Sequence, residues 1–268
     1  MPRFLEHNAW TDPGRHRAAV DALDADIRQI VETVGGLMVH CDHLEYYESS
    51  GIDAASASRA TLPLEARLDR IFARFDVPLG TSRPPADREI GTCRDYAVML
   101  CGMLRQKSVP ARVRCGFAAY FSPERFEDHW ICEFQSAPGT GWVRADAQLD
   151  REHRAHLGID FDPCAVPEEM FLTAAEAWRK VRAGSVSAEL FGHGEAAGEW
   201  FLWVNLARDC LALDDVPVSP WDTWRDCQRR DGVLTDAERR RCDVLARDID
   251  TSDKETAREP FKLKPFWV

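Results

Sequence analysis

The chain lacks the marks of several protein classes. No apolar run reaches the roughly 20 residues needed to cross a bilayer. No apolar leader opens it, since Met1-Pro2-Arg3-Phe4-Leu5-Glu6-His7 is polar and mixed. The nine cysteines are an odd number and fall in no metal-like pairs. No basic stripe interleaved with aromatics is present, and 34 Lys and Arg face 45 Asp and Glu, a net charge of −11. Such a chain is a poor partner for nucleic acid or an anionic membrane. There is no internal repeat and no low-complexity linker. These absences lead to an expectation of a cytoplasmic protein in a reducing compartment. Its thiols mostly fill the core as small hydrophobes, and it needs no cofactor and no metal.

What is present is enough for a full core: 268 residues, 45% of them hydrophobic. Apolar residues recur at helical spacing over 16–34, ending at Gly35-Gly36, and again over 62–75 behind Pro63. A loop over 78–90 contains Pro84-Pro85, and a helix then begins at Cys93 and stops before Pro110. Val113, Cys115 and Phe117 alternate with Arg112 and Arg114, which reads as a strand over 111–119. Two further strands, 129–134 and 142–146, flank the turn Ser136-Ala137-Pro138-Gly139-Thr140-Gly141. Beyond 150 the pattern is mainly helical, with candidates at 168–183, 196–213 and 236–248. Trp221 and Trp224 are expected to pack on the main body, and the tail from Thr251 to dock through Phe261, Leu263, Phe266 and Trp267. The stretch Ser49 to Ala60 is small and polar, with no clear element. The expected architecture is one α+β domain over 1–268, with a helical part over 1–79 and a mainly helical part over 151–268.

Three residues carry chemistry. Cys93 stands where a helix begins, behind Gly91-Thr92 and before Arg94-Asp95. Thr92 reads as the N-cap, with Asp95 three residues on. A thiol at a helix N-terminus is favoured as thiolate, the nucleophilic form. His129 lies on one strand and Asp146 on the next. If Phe134 sits opposite Gly141, His129 falls opposite Asp146, and the carboxylate can orient the imidazole. A one-residue slip would put the two on opposite faces. The trio then predicts acyl transfer through a thioester, with the imidazole moving protons.

Gly91-x-Cys93, Val109-Pro110-Ala111-Arg112-Val113-Arg114-Cys115-Gly116-Phe117, Asp128-His129-Trp130 and Gly141-Trp142-Val143-x-x-Asp146 together resemble the core of the transglutaminase-like superfamily. The resemblance covers about 80–150. It implies a papain-like triad of Cys93 as nucleophile, His129 as base and Asp146 as orienter. It also implies a fold in which the nucleophile helix packs on an antiparallel sheet. The sequence departs from the family at Trp130 after the histidine and at Ala147-Gln148 after the aspartate. These departures bear on subfamily and substrate. Members include protein cross-linkers, peptidases, amidases and small-molecule amide-forming enzymes, and some have lost the cysteine and only bind. The expected partner is a small-molecule or peptide substrate.

Other residues have simpler readings. Cys101, Cys115 and Cys132 read as core, and Arg94 and Asp95 as a solvated first turn. Trp130, Trp142, Tyr47 and His43 are candidate substrate-binding residues, with His43, Tyr46 or Tyr47 offering a second oxyanion donor. His40-Cys41-Asp42-His43 invites a metal reading, but no third and fourth ligand spacing accompanies it. His153 and His156 read as surface residues. Two further functions stay open: a catalytically inactive binding or scaffold protein on the same fold, and a metal-dependent hydrolase built on His40 and His43.

Overall fold

The computed structural model describes residues 4–47, 52, 62–137, 139–214 and 233–249. In chain order its elements are α1 (Arg17–Asp21), α2 (Ile27–Leu37), β1 (Met38–His40), α3 (Leu64–Arg74), β2 (Glu89–Gly91), α4 (Cys93–Gln106), β3 (Ala111–Ala118) and β4 (Phe126–Phe134). They continue with β5 (Val143–Ala145), α5 (Arg151–Leu157), β6 (Phe171–Thr173), α6 (Ala174–Arg182), β7 (Phe191–His193), β8 (Ala196–Ala197), α7 (Glu199–Leu213) and α8 (Asp236–Asp248). The protein is α+β with parallel and antiparallel strand pairs. It divides into two compact units, Met1–Val113 with Ile131–Pro167, and Arg114–Trp130 with Glu168–Val268. The strands β3 and β4 each begin in one unit and end in the other.

The first unit is built around α4. Tyr96, Met99, Leu100, Cys101, Met103 and Leu104 are buried in one cluster with residues of α2 and α3, and with Ala111, Cys132, Phe134 and Ala145 from the strands. Helix α4, which begins at Cys93, therefore packs on the antiparallel β4–β5 ladder, as the resemblance implied. A parallel pair, β1 with β2, lies in the same unit and sets His40 opposite Gly91. The 78–90 loop is held from inside by Arg83. Its guanidinium donates to the carbonyls of Val77, Leu79 and Thr81 at 2.9, 3.1 and 3.0 Å.

Two helical expectations needed correction here. The periodic stretch 16–34 is two helices, because Asp26 starts α2 afresh by accepting the Gln29 N–H at 2.9 Å. Gly35-Gly36 does not end that helix, which runs on to Leu37. At Gly35 a Cβ would lie 2.9 Å from the Ala147 carbonyl oxygen, so this glycine serves a close approach and not a stop.

The hairpin register also differs. Phe134 pairs with Val143, Glu133 with Arg144 and Cys132 with Ala145. Gly141 and Trp142 stay in the connection, which closes on itself. The Gln135 side-chain amide donates to the Thr140 carbonyl at 2.8 Å, and the Thr140 hydroxyl donates to Ala137 at 2.7 Å. Asp146 follows Ala145, the last paired residue of β5, so the expected pairing of His129 with Asp146 is not formed. The shift is two residues, so the side-chain faces of the ladder are preserved.

In the second unit β3 pairs with β6 antiparallel, the start of β4 pairs with β7 parallel, and β7 with β8 forms a tight hairpin. The parallel pair had no mark in the sequence. Helix α6 packs against α7 and α8. Its predicted start at 168 moves to Ala174, because Phe171–Thr173 form β6 and Thr173 with Glu176 make a capping box. Similarly, residues 196–197 are strand and α7 begins at Glu199, whereas α8 spans the expected 236–248. Buried ion pairs hold α7 to the strands. Arg114 and Asp209 meet at 3.0 and 2.8 Å, and Asp209 also accepts the Cys115 N–H at 2.9 Å. Trp221, Trp224, the tail from Thr251 and the stretch 49–60, apart from Ile52, lie outside the described residues. No helix among the described residues is long and apolar enough to cross a membrane.

Candidate active site

Cys93 is the first residue of α4 and is half-buried, between fully buried Thr92 and Arg94. The helix starts here because Asp95 turns its carboxylate back on Thr92. One oxygen accepts the Thr92 backbone N–H at 2.9 Å and its hydroxyl at 3.0 Å. The other oxygen accepts from Arg67 at 2.8 Å. Arg67 is only 2% exposed and also reaches Glu89 at 3.3 Å and the Ile90 carbonyl at 3.0 Å. Arg94 and Asp95 are therefore not a solvated turn. Both are buried, and a buried cation neutralises the carboxylate two residues from the thiol. As a class, the first N–H groups of a helix lack intrahelical partners and carry partial positive charge.

Asp146 follows β5 and is buried. Its backbone N–H donates to the Pro163 carbonyl at 2.9 Å, and one carboxylate oxygen accepts the Gln148 N–H at 3.0 Å. Tyr96, in the first turn of α4, has its phenol pushed well above its usual pKa. Burial is the main cause, with Tyr47, Asp150 and Asp146 among the charges that add to it.

His129 is buried on β4 in the second unit, ringed by Tyr120, Phe121 and Phe171 with centroids 5.8, 4.9 and 6.4 Å away. The adjacent Asp128 accepts from Asn205 at 2.9 Å and from Arg208 at 3.0 Å, so α7 grips the strand beside the imidazole.

The other candidates fall as follows. Trp130 is buried. Trp142 is half-buried, with the Arg112 guanidinium 3.9 Å over its ring and Phe4 against its edge. Tyr47 is buried and its hydroxyl donates to Asp150 at 2.7 Å. Its phenol is raised far above the usual value, mainly by burial and then by Asp150. His43 is half-buried. Its Nδ1 lies 3.2 Å from His153 Nε2 and 3.2 Å from the Gln148 amide nitrogen. His40, Cys41 and Asp42 could bring three ligand atoms within 4.8 Å of one another, but His40 Nδ1 already accepts the Asp42 N–H at 3.2 Å. Cys101, Cys115 and Cys132 are buried, in keeping with their core reading. Burial is also the main cause that raises the Cys132 thiol well above its usual pKa.

Sequence reasoning missed Gln148, Asp150 and His153. His153 is fully buried, not a surface residue, and its Nδ1 is 3.0 Å from Asp150. A signal was there: Asp150 caps α5 by accepting the His153 N–H at 3.0 Å, and Gly158 closes the helix in the left-handed region. Reading that cap would have turned His153 inward. His156 is exposed, as expected, and stacks on Tyr46.

Residues 82–147 match the model of the transglutaminase-like superfamily. That segment contains Cys93, His129 and Asp146, and the match supports cysteine-dependent chemistry in general. No curated protein matches the chain. A solved structure from Cytophaga hutchinsonii, provisionally described as a cysteine protease, is similar at 15% identity and a TM-score of 0.36. The similarity covers 63% of this chain and 44% of that one, so the chain matches less than half of that protein's length.

Proposed function

We propose, with a transglutaminase-like core at 82–147 as the premise, that the protein catalyses acyl transfer through a thioester on Cys93. In this reading it makes or breaks an amide on a small-molecule or peptide substrate. The Cys93 thiolate attacks the acyl carbonyl, and the helix N-terminus stabilises both the thiolate and the oxyanion that forms. His129 protonates the leaving group, then accepts the proton of the amine or water that attacks the thioester. Asp146 orients His129 and stabilises its charged form. The observation that carries the reading is the half-buried thiol at the first position of a buried helix, with Arg67 neutralising the acidic residue beside it.

Intact-mass spectrometry with candidate acyl donors tests it. A covalent acyl adduct on Cys93, absent in Cys93→Ala, is the expected result. Alkylation at pH 6 supplies a control, since Cys93 should react well ahead of the other cysteines. Uniform slow alkylation and no adduct would favour the alternative, an inactive binding or scaffold protein on this fold.

A further inference from the structure

We infer that Arg67 and Asp95 are a positioning pair for the Cys93 thiol: Asp95 fixes the helix start that carries the sulfur, and Arg67 cancels the negative charge this brings beside it. The inference rests on the thioester reading of Cys93 and deepens it.

The pair lies within the first unit and brackets Cys93 along the chain. A single guanidinium, entering from α3, meets acceptors on both sides of that residue. Arg67 Nη1 donates to the Ile90 carbonyl at 3.0 Å and to Glu89 at 3.3 Å, and Nη2 donates to Asp95 Oδ1 at 2.8 Å. Asp95 Oδ2 accepts the Thr92 N–H at 2.9 Å and the Thr92 hydroxyl at 3.0 Å, so the turn from Ile90 to Asp95 is tied at both ends. Gly91 belongs to the same corner. A Cβ there would lie 3.3 Å from Asp95 Oδ2 and 3.1 Å from Met38 Sδ. A planar fork serves several acceptors at once, and a lysine ammonium cannot copy its spacing.

The charges give the reason for a cation at this place. The start of a helix offers about half a unit of positive charge. A cap from the third helical position needs only an acceptor oxygen, and here that oxygen belongs to a full carboxylate, two residues from the thiol. Left bare in a buried site, the carboxylate would outweigh the helix and disfavour thiolate. Arg67 and Asp95 are 2% and 4% exposed, so water screens neither. Glu89 does not depend on Arg67 for its charge balance, because Arg70 and Arg74 reach that carboxylate at 3.4 Å. The other charged or titratable groups in the first turn of α4 are Arg94, buried with its guanidinium 5.7 Å over the Trp10 ring, and Tyr96.

A pair that serves the fold alone leaves the titration of the sulfur where it is, and this separates the two roles. Alkylation of the full chain with iodoacetamide, read for each cysteine by peptide mass spectrometry from about pH 4 to 9, gives the midpoint of Cys93 reactivity. Arg67→Met strands a carboxylate near the thiol and should raise that midpoint by about one pH unit. Asp95→Asn keeps an oxygen for the Thr92 cap but leaves the cation, and should lower it. The double variant should return to within about 0.3 pH unit of the unmutated protein. Arg67→Met is the variant most at risk of not folding, so Asp95→Asn and the double variant decide. Midpoints in these two that stay at the unmutated value or rise, with a normal burst from p-nitrophenyl acetate in the unmutated protein, overturn this inference alone. The absence of any burst from the unmutated protein overturns the thioester reading and the role of the pair with it.

Discussion

Arg67→Ala should be the most costly single change outside the apolar core. The side chain is 2% exposed and satisfies one carboxylate oxygen of Asp95, itself buried, at 2.8 Å. Glu89 keeps Arg70 and Arg74 within 3.4 Å when Arg67 is removed, so the loss concentrates on Asp95. Removing one partner of a buried pair leaves an uncompensated charge, at a cost of about 3–5 kcal/mol. For a chain of this size each kcal/mol moves the melting temperature by roughly 2–4 °C, which gives a fall on the order of 10 °C. Asp95→Ala should cost about 1 kcal/mol for the lost Thr92 cap, plus a share for the Arg67 charge left behind. Urea titrations of the two single variants and the double variant, followed by tryptophan fluorescence, close the cycle. The expected coupling is about 2 kcal/mol. Single-variant losses that add to within about 0.5 kcal/mol would refute the argument, because the pair would then contribute nothing as a pair in solution. The same cycle read by Cys93 alkylation would show whether the helix start, and not only the fold, depends on it.

Two further outcomes follow from named contacts. Gly116→Ala places a Cβ against the Leu172 carbonyl and 2.9 Å from Thr173 Cα. Backbone cannot yield there, so β3 and β6 must part, at a cost of about 1–3 kcal/mol. A melting temperature within about 1 °C of wild type would contradict that geometry. Asp150 has a folded pKa below its unfolded value of about 3.9, so its contribution is full at neutral pH and is lost as pH falls below about 4. Asp150→Asn should flatten the acid limb of stability in urea midpoints taken from pH 3 to 7, and an unchanged slope would remove Asp150 from that account.

Local signals carried helix α4 and the strands that follow it into legibility. Thr92-x-x-Asp95 marks a helix start, and the alternation of Val113, Cys115 and Phe117 marks β3, because caps and pleats act over a few residues. Pairing was less readable. The β4–β5 register depended on Gln135 and Thr140 closing their own turn, which drew Gly141 and Trp142 out of the strand. Burial of polar residues was not readable at all. Asp95 and His153 look like surface residues until Arg67, 28 positions earlier, and Tyr47, over 100 positions earlier, meet them. The roles proposed for Cys93, His129 and Asp146 came from their order and from family likeness, whereas Gln148 stood only as a departure from that likeness.

The threading of β3 and β4 through both compact units has a consequence for synthesis. The first unit is complete only when Pro167 has left the ribosome, yet by then residues 114–130 have long emerged. Phe117 and Ala118 must wait for Leu172 and Phe171, more than 50 residues later, to cover them. A nascent chain stalled at 167 therefore presents an uncovered strand edge, the kind of surface that chaperones hold and that aggregation exploits. Expression of residues 1–167 alone should give insoluble protein, and a monodisperse product would show that the early segment can shield itself.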